Sequence, residues 1–325
     1  MMKANNPKSF FLLIALMLVH CIGFGLTAFQ NSNLDDAKVA YADVTSFDDG
    51  FVAITNSGRI DWISEEGVVS MSKTFEGESF KSILAIQQQF LILSSNGQIL
   101  LFENDSSFHT IHKPSNNTIN CITLFKNRII AGCDEGELLI GNNENSLKSI
   151  QLELKGNMVS LSAGINDCWG VSDQGEIIHS KDGLNWIVFD FNSVYKAYYK
   201  ACSFIKVECT PDQIAVIGKN SDGSPVLFFS SKGNVWSERV LNYTSEEGAA
   251  DSLNDIPTDI CYDAANDQFL LTCANGRLMT IPSCSHCQKV YQISLENLNA
   301  IAGNESKIMV VGTNNFVQMM NVIAF

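Results

Sequence analysis

Basic residues are scarce in this sequence. Its 325 residues include 21 Lys and Arg against 35 Asp and Glu, which gives a formal net charge of −14. Only four of the basic residues are arginines, and there are just five histidines and six prolines. Nucleic-acid binding needs a dense Lys/Arg surface that contacts phosphates, so we exclude nucleic acid as a partner. The hydrophobic fraction of 46% also excludes a disordered or collagen-like chain.

Recognisable catalytic and cofactor motifs are missing from the sequence as well. It contains no phosphate-binding loop, no EF-hand and no nucleophile turn with a histidine partner. The pattern Cys284-Ser-His-Cys287 has no second CxxC or His pair nearby to complete the four ligands of a zinc site. We therefore expect no catalytic residues, no metal and no cofactor.

The first 28 residues have the composition of a secretory signal peptide. Lys3 and Lys8 form a basic start, residues 10–19 form an apolar core, and small residues lead to a cleavage site after Ala28. The core is too short to cross a bilayer, for which about 20 residues are needed. We predict a mature chain of residues 29–325 that is secreted, periplasmic or held at the cell envelope, with no membrane span after cleavage. A lipidated Cys21 and an uncleaved anchor are the alternatives.

A repeat of 39 residues indicates the fold. Each unit has an apolar strand, a polar turn and a second apolar strand, as in QFLILSSNGQILLFE. The equivalent turn residues of the seven units are Gly58, Gly97, Gly136, Gly175, Gly223, Gly276 and Asn315. The first four lie 39 residues apart, whereas the intervals before and after Gly223 are 48 and 53 residues. The longer intervals indicate insertions near the fifth unit.

A unit of about 40 residues with room for four strands is typical of a β-propeller blade. We predict an all-β, seven-bladed propeller of four-stranded blades, as a single domain over residues 29–325. The last unit ends before its fourth strand, so we expect residues 29–42 to supply that strand and close the ring. Closure in this way removes an open sheet edge.

The segment Ser180-Lys-Asp182-Gly183-Leu-Asn-Trp186 is the most specific local pattern. It resembles the Asp-box of sialidase-type, BNR-repeat propellers, and residues 230–236 repeat the spacing with Lys232 in place of the Asp. The resemblance implies that Asp182 caps backbone N–H groups in the turn between the third and fourth strands, with Trp186 packed beneath. This is a structural role, remote from catalysis.

Sialidase activity itself is not expected. Enzymes of that family bind the substrate carboxylate with three clustered arginines, for whose bidentate pairing Lys is a poor substitute. The four arginines here do not form such a set: Arg59, Arg128, Arg239 and Arg277.

Export would make the cysteines disulfide candidates. Cys121 and Cys133 lie 15 and 3 residues before Gly136, and Cys261 and Cys273 have the same offsets from Gly276. We expect each pair to form a disulfide within its blade, with buried free thiols as the alternative. Two further disulfides are expected, Cys202–Cys209 and Cys284–Cys287, and Cys168 remains as the odd thiol.

The insertions around the fifth blade are the candidate binding surface. Connections between blades, and turns between second and third strands, emerge at the same end of a propeller, where recognition usually takes place. The candidate binding residues are Tyr195, Tyr198, Tyr199, Asp222, Tyr243, Glu246, Glu247, Asp251 and Asp255.

We expect an exported, non-catalytic scaffold that binds a protein or glycan through this surface. Tyrosines supply rigid contact area, and carboxylates favour a basic or hydroxyl-rich partner. A solvated loop without a role is the alternative for the surface. The alternative function is a glycan-active enzyme with carboxylates in the axial funnel, for which Asp43, Asp259 and Asp263 are candidates without forming a matching pair. A photosystem-assembly-type BNR propeller is a third alternative, which the acidic balance does not support.

Overall fold

Seven antiparallel sheets follow one another along the chain and stand in a ring, which confirms the predicted seven-bladed β-propeller. The computed structural model describes residues 39–103, 108–113, 117–142, 147–244, 250–283 and 288–322. The first strand of each blade contacts the first strand of the next, and that of the seventh blade contacts that of the first. No helix in these ranges is long and apolar enough to cross a membrane.

The first four blades each have four strands in chain order from the axis outward. Blade one contains β1 Tyr41–Phe47, β2 Gly50–Thr55, β3 Arg59–Ile63 and β4 Val69–Thr74. Blade two contains β5 Phe80–Ile86, β6 Gln89–Ser94, β7 Ile99–Phe102 and β8 Phe108–His112. Blade three contains β9 Ile119–Phe125, β10 Arg128–Cys133, β11 Glu137–Gly141 and β12 Lys148–Gln151. Blade four contains β13 Met158–Ala163, β14 Cys168–Ser172, β15 Glu176–Ser180 and β16 Ile187–Asp190.

The remaining blades carry the insertions. A short helix, α1 Phe191–Tyr195, precedes blade five, which contains β17 Cys202–Cys209, β18 Ile214–Asn220, β19 Pro225–Ser230 and β20 Ser237–Glu238. A separate hairpin follows, with β21 Asn242–Thr244 and β22 Ala250–Ser252. Blade six contains β23 Pro257–Asp263, β24 Gln268–Cys273, β25 Arg277–Pro282 and β26 Lys289–Gln292. Blade seven contains β27 Leu298–Gly303, β28 Lys307–Gly312 and β29 Val317–Asn321.

Ring closure joins blade seven to blade one. The backbone N–H of Asn315 donates to the Val39 carbonyl (2.8 Å), and the Asn299 amide donates to the Tyr41 carbonyl (2.7 Å). Of the segment predicted to supply the fourth strand of blade seven, residues 29–38 lie outside the described residues, and Tyr41 and Ala42 belong to β1. The signal peptide of residues 1–28 also lies outside them.

The hydrophobic core lies between neighbouring blades. Phe191, Phe204, Phe228 and Trp236 fill the seam between blades four and five together with Trp169. Because both faces of a blade are covered, second strands such as β2 and β6 are buried along almost their whole length. This is why these strands read as continuous apolar runs rather than as alternating patterns.

The antiparallel topology gives the ring two distinct faces. We call upper face the end that carries the turns between second and third strands and the connections between blades. The lower face carries the turns between first and second strands and between third and fourth strands. Gly58, in an upper turn, has a φ of 79°, and a Cβ there would lie 2.5 Å from the Phe75 carbonyl oxygen. The repeating turn residue is therefore explained by the left-handed backbone and the close approach of the next connection.

The predicted intrablade disulfides are wrong. Cys121 pairs with Gly132 in the sheet, so Cys133 points to the opposite face of blade three. Cys121 accordingly packs in the seam with blade four and Cys133 in the seam with blade two. Cys261 pairs with Leu270, which places Cys273 on the other face of blade six in the same way.

The predicted Cys202–Cys209 disulfide is also wrong. The two residues are the ends of the same strand, β17. At about 3.3 Å per residue their Cα atoms lie about 23 Å apart, whereas a disulfide needs less than about 7 Å. All seven described cysteines are free thiols, including the buried Cys168, and Cys284 and Cys287 lie outside the described residues.

Candidate functional site

A polar cluster lines the axis of the ring. The first strand of every blade has one bulge, and the residues that follow the seven bulges are equivalent. They are Asp43, Ser82, Cys121, Ser160, Lys206, Asp259 and Ala300. Lys206 of blade five interacts electrostatically with Asp43 of blade one, so these side chains meet across the ring.

The two axial aspartates each connect one blade to the next. Asp43 accepts hydrogen bonds from the N–H groups of Val44 and Ile83, both 2.9 Å, and from the Ser82 hydroxyl at 2.8 Å. Asp259 accepts from Ile260 N–H at 2.9 Å and from Ile301 N–H of blade seven at 3.0 Å. Each carboxylate thus satisfies backbone donors exposed at a bulge, which is a structural role.

Lys206 supplies the positive charge of the axial cluster. Its Nζ lies 2.9 Å from Asp259 Oδ1, and 37% of its side chain stays exposed. Burial lowers the pKa of Lys206, but Asp259 and Asp43 outweigh that effect and raise it above its usual range. The ammonium ion therefore stays charged between two carboxylates.

Glu208, one turn of the pleat further along β17, is the axial group most sensitive to pH. Burial, followed by the charge of Asp259, raises its pKa to about 7. Its carboxylate accepts from the Ser162 hydroxyl at 3.3 Å. Asp263, the third predicted axial carboxylate, is elsewhere: it caps the β23–β24 turn by accepting from Asn266 Nδ2 at 2.7 Å and Gln268 Nε2 at 2.9 Å.

The insertion before blade five covers the outer edge of that blade. Arg239 N–H donates inward to the Leu227 carbonyl, so the alternate N–H groups of Trp236 and Glu238 point away from the sheet. The Tyr195 hydroxyl accepts from Trp236 N–H at 2.8 Å, and the Tyr199 hydroxyl accepts from Glu238 N–H at 3.4 Å. Two of the predicted binding tyrosines therefore protect a sheet edge.

The third tyrosine of this insertion faces solvent. Tyr198 is 78% exposed, and Val194 on α1 is 56% exposed. The Phe191 ring, fully buried, stacks on Tyr195 at 4.8 Å between ring centroids and anchors the insertion. Lys200 forms an ion pair with Asp222 in the β18–β19 turn, which joins two of the predicted insertions on the upper face.

The acids of the third insertion are paired within blade six. The Tyr243 hydroxyl donates to Asp251 Oδ2 across the β21–β22 hairpin at 2.9 Å. Asp255 Oδ2 lies 3.0 Å from Arg277 Nη1. The contacts of the described residues thus divide the predicted surface into a group on blade five and a group on blade six, and Glu246 and Glu247 lie outside these residues.

The turn between β15 and β16 is held by Asp182. Its Oδ1 accepts from the N–H groups of Leu184 and Asn185, both at 2.8 Å, and Ser180 Oγ accepts from Gly183 N–H at 2.8 Å. The Asn185 hydrogen bonds, followed by that of Leu184, hold the pKa of Asp182 well below its usual range. Trp186 packs partly buried against the seam between blades three and four.

Sequence reasoning missed Lys206 and Glu208. The register could have revealed them, because Lys206 and Asp259 both lie 17 residues before the turn glycines Gly223 and Gly276. The lower turns of blades five and six are two residues longer than those of the first four blades. This is why Asp259, and not Cys261, occupies the position equivalent to Cys121.

In the part of the chain that the structure describes, no group of three or more His, Cys, Asp or Glu side chains is arranged to hold a metal ion. What the site offers chemically is an axial cluster of one cation and three carboxylates, and an upper surface with exposed apolar and aromatic side chains.

The chain is similar in fold to several solved structures. YCF48 bound to D1 peptide aligns with a TM-score of 0.65 and 13% identity over 88% of this chain and 96% of its own. YCF48 from Cyanidioschyzon merolae gives 0.64 and 11% over 87% and 95%. The computationally designed Ika8 protein gives 0.60 and 10% over 89% and 98%. No protein-family model and no curated protein matches the sequence. At these identities the similarity establishes the β-propeller fold, and the sialidase-type resemblance stays a prediction.

Proposed function

We propose that this chain is an exported, non-catalytic propeller that binds a protein or glycan partner through the upper surface around blade five. The observation that carries the proposal is the insertion of residues 191–200. It is folded against blade five through Phe191, Tyr195 and Tyr199, yet it leaves Tyr198 and Val194 exposed. Exposed aromatic side chains on a rigid support lose little conformational entropy on binding.

The fold supports a binding role. A solved propeller of similar shape is described with a bound peptide, although that binding is a property of the other protein. Propellers host many unrelated functions, so the fold alone does not identify the partner.

The paired acids change the expected chemistry of the partner. Asp222 is paired with Lys200, and Asp255 with Arg277, so much of the negative charge on the predicted surface is neutralised locally. Contact through Tyr198 and Val194 then favours an apolar or aromatic group, or the flat face of a sugar, over a strongly basic segment.

A pull-down from the envelope or extracellular fraction of the source organism tests the proposal. The bait is the purified protein, beside the variant Val194→Ser/Tyr198→Ala and the control Leu295→Ser, whose residue is 94% exposed on the same face at the blade six–seven connection. A partner retained by the wild type and the control, and lost by the folded variant, supports the surface. Equal retention by all three would falsify it.

The alternative of a glycan-active enzyme rests on Glu208. Its pKa of about 7 suits a general acid at neutral pH, and Asp259 is an axial carboxylate that influences it. Against this, Asp259 is occupied by Lys206 and two backbone N–H groups. Hydrolysis of a glycan panel that disappears in Glu208→Gln, with the fold retained, would favour the enzyme.

A further inference from the structure

A patch of exposed apolar side chains lies on the lower face, away from the insertions. The described residues include ten large hydrophobic side chains that are exposed, and four of them lie in lower turns or at a strand start of blades four and five. They are Ile165, Leu184, Ile187 and Val235, exposed by 77, 51, 68 and 70%. We call these four residues the lower patch. A concentration of this kind on two adjacent blades marks an interaction surface.

The two blades are in direct contact beneath the patch. Gly233, in the same turn as Val235, lies on the Trp169 ring so closely that a Cβ would be 2.0 Å from it. Trp169 in turn stacks on His179, with 4.0 Å between ring centroids, and Asp167 Oδ2 lies 3.5 Å from His179 Nε2. The turns that carry the patch are therefore fixed on one buried aromatic seam, and the patch has a rigid base.

Basic side chains border the patch. Lys181 and Lys232 are exposed in the same two turns as Leu184 and Val235. Lys126 joins them from the β9–β10 turn, where its Nζ donates to the Lys181 carbonyl at 2.7 Å. The carboxylate of Asp182 is turned into its own loop by backbone N–H groups, and Asp167 faces His179. Asp212 is exposed on the axial side of this face.

We propose that the lower patch docks an acidic segment of a partner protein that also carries apolar side chains. Three lysines beside four apolar residues complement such a segment, with the apolar groups in the centre and the carboxylates at the rim. The net charge of −14 does not oppose this, because charges beyond about 8 Å are screened at physiological ionic strength. The surface is on the opposite face from Tyr198, so it stands or fails independently of the function proposed above.

A displayed library of random 12-residue peptides, selected on the purified protein, tests the proposal. The enriched peptides are then synthesised with a fluorescent label, and their affinities are measured by anisotropy. Three variants are compared with the wild type: Ile165→Ser/Leu184→Ser/Val235→Ser, the charge reversal Lys181→Glu/Lys232→Glu, and the matched control Val68→Ser/Met71→Ser/Leu295→Ser.

We expect the enriched peptides to combine Asp or Glu with Leu, Ile or Phe. Their affinity should fall at least tenfold in the patch variant and in the charge reversal, stay within twofold in the control, and weaken as salt increases. Neutral or basic peptides, equal affinity for the patch variant, or no enriched peptide at all would overturn the proposal. Self-association of the wild type that the patch variant abolishes, measured by sedimentation, would instead assign the patch to a second copy of the chain. If the patch variant does not fold, the charge reversal decides, since both of its positions are exposed.

Discussion

Glu208 is the residue whose protonation we expect to change the stability of the ring. Its pKa is raised from an ordinary 4.5 to about 7, so the ionised form is less favourable in the folded protein than in the unfolded one. The stabilisation is complete below pH 4.5 and is lost as the pH rises through 7. The shift corresponds to a loss of about 1–3 kcal/mol in the free energy of unfolding.

Glu208→Gln should remove this dependence. We expect the variant to be more stable than the wild type at pH 8 by about 1–3 kcal/mol, and within about 0.5 kcal/mol of it at pH 5. Urea unfolding at both pH values measures the difference. An equal effect of the substitution at the two pH values would contradict the assigned pKa.

The described cysteines should behave as buried, unreactive thiols. Burial raises the pKa values of Cys121 and Cys133 to about 12, so almost no thiolate is present at neutral pH. We expect iodoacetamide to label peptides of the seven described cysteines slowly in the native protein and completely in guanidinium, as measured by mass spectrometry. Rapid native labelling, or a peptide linked through Cys121 and Cys133, would contradict the structure.

At the scale of single elements, the insertion before blade five is a cover for an edge strand. The hydroxyls of Tyr195 and Tyr199 replace the missing neighbour of β20 by accepting its outward N–H groups. Loss of one such hydrogen bond costs about 0.5–1.5 kcal/mol.

Tyr195→Phe and Tyr199→Phe should each lower the free energy of unfolding by about 1 kcal/mol, and together they should promote self-association through β20. The matched control is Tyr198→Phe, since Tyr198 is exposed. Denaturant unfolding and light scattering give the two readouts. The idea of an edge cover fails if the three substitutions behave alike.

The sequence predicted elements well where the repeat was strict. Blades one to four keep the 39-residue interval, and their strands lie where the turn glycines place them. The cysteine pairs were mispredicted because equal offsets from a turn glycine do not give the face of the sheet. A bulge and a longer lower turn each shift that assignment, and neither is visible in the spacing of glycines.

At the scale of the whole molecule, the ring depends on contacts between non-neighbouring parts of the sequence. Lys206 of blade five pairs with Asp259 of blade six and interacts across the axis with Asp43 of blade one. A composition with few basic residues could not have predicted that one lysine occupies this centre, because its role arises from closure of the ring.

Lys206→Met should therefore destabilise the protein by leaving two axial carboxylates without a counter-charge. Breaking a fully buried pair costs about 3–5 kcal/mol. Since 37% of the Lys206 side chain is exposed, we expect about 1–3 kcal/mol, measured by urea unfolding at pH 7. Addition of Asp259→Asn should recover part of the loss. A double variant that is as unstable as the sum of the two single variants would show that the pair is not coupled.

The binding surface was only partly predictable. Insertion lengths located it near blade five, but which tyrosines are exposed depends on the path of the chain around β20. The pairing of Asp222 with Lys200 likewise depends on two loops that meet only in the folded ring. The lower patch has no signature in the sequence, since its four apolar residues come from three separate turns and a strand start.

The most direct test of the central claim, that this propeller is a binding scaffold whose upper contact lies at blade five, is site-specific photo-crosslinking. Benzoylphenylalanine is placed at position 198 in one protein and at position 295, exposed on the same face, in another. Each is irradiated with the envelope or extracellular fraction of the source organism. We predict a discrete adduct from position 198 and none from position 295. Equal adducts from both positions, or an adduct from position 295 alone, would contradict the account.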